Sequence, residues 1–206
     1  MRYRSALVVP LLLFAPIVDA RQVQAVQPLT LAKGQPVKII GMDLEFAPEM
    51  LAELSESDAK AAGKRASAGL APLDPNSYPV GPQDGAAYAT MPFKQMFPLV
   101  MRDVSREWGL DRGVPIRLHI RLDKLQTANA ALAVMVGSSD ILQGGVNVMD
   151  ATSGASIGFF RVEVRNSHGG WGGLLIRGGG IREKLAEEFG LELARYIAGG
   201  KKLAKN

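Results

Sequence analysis

Five basic side chains alternate along two segments of this chain. Arg117, His119 and Arg121 share one face of VPIRLHIRLDKL, while Arg161 and Arg165 lie on the face opposite Phe160, Val162 and Val164. If both segments are strands of one sheet with their apolar sides turned inward, all five project from one outer surface. Such a surface suits phosphate head groups, anionic glycans or an acidic partner protein. Asp123 and Glu163 offer the ordinary alternative, a solvated face of balanced charge. Asp43 and Glu45 share a strand face as well, a pairing that serves acid–base or cation work but more often marks the solvent side of a strand end.

A second constellation is nucleophilic. Gly154-Ala155-Ser156-Ile157-Gly158 matches the G-x-S-x-G pattern of serine hydrolases, in which a strained strand-to-helix turn lifts the hydroxyl to the top of a sheet. Here it follows a hairpin turn and runs into FFRVEV, which alternates like a strand. The chain order of nucleophile, acid and base leaves Glu163 and His168, both within twelve residues of Ser156. One continuous strand does not readily assemble a triad from them. The small-residue hairpin is the preferred reading.

HGGWGGLLIRGGG, residues 168–180, brushes a phosphate-loop pattern through Gly173 and Gly178. The positions that need Lys and Ser/Thr are Gly179 and Gly180, so the groups that reach the outer phosphates and the metal are absent. The stretch reads instead as a pliant crossover between the last strand and the last helix. In it Trp171, Leu174, Leu175 and Ile176 either tuck into the core or wait for a partner. His119 and His168 are the only imidazoles, and neither has a second ligand at metal spacing. No metal and no cofactor is expected.

The elements that must position these groups follow from periodicity. VKIIGMDLEF, Val37 to Phe46, reads as a strand, and PEMLAELSESDAKAAGKRA as a helix with Pro48 in its first turn. Residues 67–89, rich in Ala, Gly, Pro, Asp and Ser, read as a long surface loop. Phe93, Met96, Phe97, Val100, Val104 and Trp108 recur at helical spacing, with Pro98 marking either the true first turn or a kink. Four strands should follow: Val114–Leu125, the apolar run Ala131–Val136, and a hairpin of VNVM and FFRVEV turning at residues 150–154. GSSDILQGG is taken as the connection before that hairpin. A last helix spans Ile181–Ala198, with Ile181, Leu185, Phe189, Leu193, Tyr196 and Ile197 as its stripe. The expected fold is α+β, a two-layer sandwich whose mainly antiparallel sheet is covered on one face by two helices.

The ends and the composition bound the location. Arg2 and Arg4, an apolar run of thirteen residues from Ala6 to Val18, and Val18-Asp19-Ala20 form the pattern of a secretory signal peptide cut after Ala20. That run is too short for a membrane span, which takes roughly 18 or more residues. Residues 21–35 form an extended lead-in, 36–200 a single domain, and 201–206 a basic tail. The chain has no cysteine, which leaves no residue for a thioether lipid anchor, a disulfide or a thiolate metal site. Without residues 1–20 the formal charge falls from +4 to +3, and the excess lies in the later half: residues 94–206 hold sixteen Lys/Arg against eleven Asp/Glu. A mild basic balance suits anionic lipid or cell-wall glycan, and export removes nucleic acid from the expected partners.

GSSDILQGGVNVMDATSGASIG resembles a motif of small bacterial envelope proteins, many of them lipoproteins of unassigned role. In these a glycine-rich stretch leads to a strand, an Asp-Ala-x-x-Gly turn, a returning strand and a terminal helix. The strand–helix–strands–helix order is similar to the amino-terminal domain of the translocation protein TolB. The resemblance implies an α+β envelope module that acts by protein contacts and carries no catalytic site. The expectation is therefore a periplasmic or secreted, non-enzymatic protein that binds another envelope component. Arg117, His119, Arg121, Arg161, Arg165 and Trp171 are its candidate contacts. A small exported serine-type hydrolase using Ser156, or the Asp43/Glu45 pair, is one alternative, and a binder of anionic glycan or lipid through the arginine face is the other.

Overall fold

The computed structural model describes residues 21–32, 34–74, 85–127, 139–166 and 180–200. In chain order these form β1 (Arg21–Gln27), β2 (Val37–Phe46), a 3-10 turn (Pro48–Met50), α1 (Leu51–Ser67), α2 (Gly85–Ala89) and α3 (Phe93–Glu107). They continue through β3 (Val114–Gln126), β4 (Asp140–Asp150), β5 (Ser156–Asn166) and α4 (Ile181–Ile197). The five strands form one sheet in the order β1-β5-β4-β3-β2. Three of its pairings are antiparallel; β2 and β3, separated in sequence by three helices, run parallel.

The inner face of the sheet is apolar and closed. Ile116, Leu118, Ile120 and Leu122 of β3 alternate inward, as do Leu142, Val146 and Val148 of β4 and Phe160 and Val162 of β5, all without solvent exposure. α3 and α4 cross over them, α4 on the β4–β5 side and α3 toward β2. The stripe read from the sequence is the buried one: Phe93, Met96, Phe97, Val100 and Val104 from α3 meet Leu185, Phe189 and Leu193 from α4. Phe97 sits edge-on to Phe189 at 5.6 Å and stacks on Phe93 at the same centroid distance. Gly190 brings the two helices close, since a Cβ there would lie 3.1 Å from Met101 Sδ. Pro98 lies inside α3, which begins five residues earlier.

A buried guanidinium ties the helices together. Arg182, in the first turn of α4, donates from Nη1 to Ser57 Oγ (3.2 Å) and Asp58 Oδ1 (3.0 Å) of α1. Its Nη2 donates to the Met91 carbonyl at 2.8 Å. Asp58 Oδ1 also accepts the Phe93 backbone N–H at 2.7 Å, so one carboxylate caps α3 and pairs with α4. Burial pushes the Asp58 carboxyl above the ordinary aspartate range, against the pull of Phe93 N–H and Arg182.

Three expectations are corrected. Part of residues 21–35 is ordered into β1, because its backbone pairs with β5 even though its glutamine-rich sequence has little pattern. GSSDILQGG is not a plain connection: β4 begins at Asp140 and pairs with β3 through Ile141↔Gln126. The glycines there permit close approach, since a Cβ on Gly144 would lie 2.6 Å from the Arg121 carbonyl oxygen. The end of the expected 67–89 loop carries α2, a short alanine-rich helix. The strand expected at 131–136, Trp171 with nearly all of the glycine stretch, the signal segment and the basic tail lie outside the described residues.

The β4–β5 hairpin turns where expected. Asp150 Oδ1 accepts the N–H groups of Thr152 (3.0 Å) and Ser153 (2.7 Å) and the Ser153 hydroxyl (2.8 Å). The Ser153 N–H, then its hydroxyl, hold the Asp150 carboxyl below the usual range. A depressed folded-state value means stability that is present above the ordinary carboxylate range and lost as pH falls through the folded value. Asp150→Ala should therefore flatten the acid limb of a stability-against-pH curve recorded by urea titration. An acid limb as steep as that of the parent would show that the turn contributes nothing there.

Candidate functional site

The other face of the sheet has no helix over it among the described residues, and it holds the groups singled out from the sequence. Alternation in β3 turns Arg117, His119 and Arg121 outward, and alternation in β5 does the same for Arg161 and Arg165. The parallel register of β2 sets Asp43 opposite His119 and Glu45 opposite Arg121. The two constellations of the sequence, the basic face and the carboxylate pair, are thus one array.

Each cation in it has a carboxylate. Arg117 Nη2 lies 3.6 Å from Asp43 Oδ1, and His119 Nε2 lies 3.4 Å from Glu45 Oε2. Asp123 takes two arginines, Arg121 Nε at 3.5 Å and Arg161 Nη2 at 2.6 Å. Arg165 donates from Nε to Glu163 Oε1. Four arginines meet four carboxylates, so with His119 neutral the array carries no formal charge. The cations are about half exposed and Asp123 and Glu163 about a quarter, and each such pair contributes only about 0–1 kcal/mol to stability. What they supply is a patterned surface with both signs of charge. The Arg117 guanidinium lies over Gly41, where a Cβ would come within 3.3 Å of Cζ. The Phe159 ring lies over Gly145 in the same way, at 3.1 Å. Two glycines therefore let long side chains lie down on the sheet.

Ser156 stands at the rim of this face. Its hydroxyl donates to Asn147 Oδ1 at 2.6 Å, and an amide oxygen is no general base. His119 is two strands away and offset by two residues along the register. At a strand spacing of about 4.8 Å and a rise of about 3.4 Å per residue, their Cα atoms are roughly 12 Å apart. That exceeds hydrogen-bond reach for a nucleophile and its base. His168 lies outside the described residues. Among those described, no group of three His, Cys, Asp or Glu side chains is arranged to hold a metal ion. No helix there is long and apolar enough to cross a membrane.

The fold and the open face define an α+β two-layer sandwich with a charge-paired sheet surface. No family model and no curated protein matches the chain. Among solved structures it is similar to the PelC dodecamer from Paraburkholderia phytofirmans, at 10% identity over 82% of this chain and 97% of that one, with a TM-score of 0.35. It is similar to a Xanthomonas campestris protein of the DUF330 family at 12% identity, over 84% and 91% of the two chains, with a TM-score of 0.45. A Caulobacter crescentus protein described as a lipoprotein is similar at 11% identity, over 70% and 95%, with a TM-score of 0.31. At these scores the likenesses carry no argument about residues or activity.

Proposed function

We propose that the protein is an exported, non-enzymatic envelope module that docks a protein partner on the open face of its sheet. The observation that carries this reading is the pairing of Arg117, Arg121, Arg161 and Arg165 with Asp43, Asp123 and Glu163 beside the half-buried Phe159 ring. A neutral, patterned surface with an aromatic at its centre suits a protein of complementary mixed charge. It suits an anionic lipid or glycan less, because the carboxylates that neutralise the arginines would repel a phosphate or uronate. Export rests on the N-terminal pattern of residues 1–20. A layout like that of the TolB amino-terminal domain belongs to the same reading.

A photo-crosslinking amino acid in place of Phe159, tested in cells, should capture a protein partner. The same residue in place of Glu187, on the exposed side of α4, should not. Arg121→Glu combined with Arg161→Glu should reduce the captured band about tenfold, as expected for charge mismatch at an interface. The lipid reading replaces this one if capture is absent and phosphatidylglycerol vesicles bind in a salt-sensitive way that Arg117→Ala/Arg121→Ala abolishes. A measurable esterase activity lost in Ser156→Ala would establish the hydrolase instead.

A further inference from the structure

β2 is an edge strand, and its apolar side is incompletely covered. Val37 is fully buried, but Ile39, Met42, Leu44 and Phe46 are only partly so, whereas their counterparts on β3 have no exposure. Between this edge and α3 runs a groove of about 350 Å³, floored by Ile39, Met42, Pro98 and Leu110. The ladder shifts between Ile39 and Gly41, which leaves Ile40 without a partner in register and 52% exposed at the rim of the groove.

The backbone of the edge is open as well. Among the described residues its far side meets protein at the start, where Lys38 bridges Asp111 and the Ile39 N–H donates to the Leu110 carbonyl at 3.1 Å. From Gly41 to Phe46 no strand lies along that side among the described residues. An unpaired strand edge is a template for another strand. The charged lining of the groove is mostly basic: Lys38, Arg102 and Arg106, with Asp111 beside Leu110 and Arg102 paired with Asp103 at 3.3 Å. Lys38 and Arg106 have no carboxylate partner among the described residues, in contrast to every arginine of the open face. By register Lys38, opposite Pro115, shares the sheet face of Asp43 and Glu45 and borders the groove at the strand edge, whereas Asp43 and Glu45 are held by Arg117 and His119.

We infer that the β2 edge binds an extended polypeptide segment by strand addition. That segment carries alternating apolar side chains for the groove and acidic residues at the end lying against Lys38 and Arg106. Backbone hydrogen bonds to Gly41–Phe46 would supply attachment, and the groove and the basic end would supply selectivity. An amphiphile could use the groove and the cations but has no use for the backbone edge, so the peptide is favoured. The inference stands on this edge alone and holds whether or not the open face is the main docking surface.

The test uses the whole chain and four acetylated, amidated heptapeptides. Each contains Val-Thr-Val-Thr-Val, preceded or followed by Glu-Glu or by Lys-Lys. One Glu-Glu peptide should shift the amide resonances of Gly41–Phe46 and slow their hydrogen exchange. Its Lys-Lys counterpart should bind about tenfold more weakly, and Lys38→Glu/Arg106→Glu should invert that preference. N-methylation of alternate peptide bonds should abolish binding, because it removes the donors that a ladder needs. Both cations are solvent-facing, and an unchanged thermal melt confirms that the variant folds. Equal binding of the N-methylated peptide, a preference for Lys-Lys, or no shift at millimolar peptide overturns the inference. So does dodecyl phosphate filling the groove with the peptide unable to displace it.

Discussion

Replacing Arg182 with Met should cost the fold about 3 kcal/mol near neutral pH, read as a lower urea midpoint at unchanged slope. Methionine keeps most of the apolar stem, so the loss is that of the charge and its hydrogen bonds. The guanidinium satisfies Asp58, Ser57 and the Met91 carbonyl at once, and its removal leaves a half-buried carboxylate with only the Phe93 N–H. The pH dependence gives the sharper test. Burial already raises the Asp58 carboxyl, so its contribution falls as pH rises through the folded value. Without Arg182 nothing from α4 opposes that rise. The parent-to-variant gap should therefore be widest at about pH 7 and narrow toward about pH 4, where Asp58 takes up a proton in both states. Asp58→Asn in the Arg182→Met background should recover part of the loss. A gap independent of pH would show that Arg182 acts through packing alone.

Gly113→Ala should be more damaging, about 4 kcal/mol or loss of the folded state. Gly113 has φ +104°, a conformation that alanine avoids. An added Cβ would lie 2.1 Å from the Pro36 carbonyl oxygen and 2.4 Å from its carbon. That carbonyl accepts the Val114 N–H at 3.0 Å, the first rung of the β2–β3 pairing. The clash thus falls where the parallel register is set, and hydrogen exchange should report β2 amides as the first to lose protection. Gly63→Ala is the internal control. Gly63 sits within α1, where an added Cβ meets nothing, so the same substitution should stabilise by about 0.5–1 kcal/mol. Equal effects at the two glycines would contradict the geometry at both.

The two helices that cover the sheet were legible because their 3.6-residue period persists over many turns: the stripe from Phe93 to Val104 is the buried stripe. β3 was legible for the matching reason, a strict alternation over Ile116 to Leu122. β4 before Val146 was not. Gly144 and Gly145 read as a break, yet each belongs in the strand because something lies against it, the Arg121 backbone in one case and the Phe159 ring in the other. That information sits on neighbouring strands. The candidate site was half legible for the same reason. The five basic residues share a face by local alternation, and Asp123 and Glu163 could be read as their balance. That Asp43 and Glu45 complete the same array depends on β2 running parallel beside β3, which no local pattern encodes.

The pairing of β1 with β5 has a temporal meaning. Residues 21–27 reach their partners only at residues 159–164, so the first of the described strands to emerge during synthesis waits for the last. High contact order of this kind slows folding and leaves an unpaired edge exposed in the interval. For that interval β1 has no neighbour, since β5 is its only partner in the sheet.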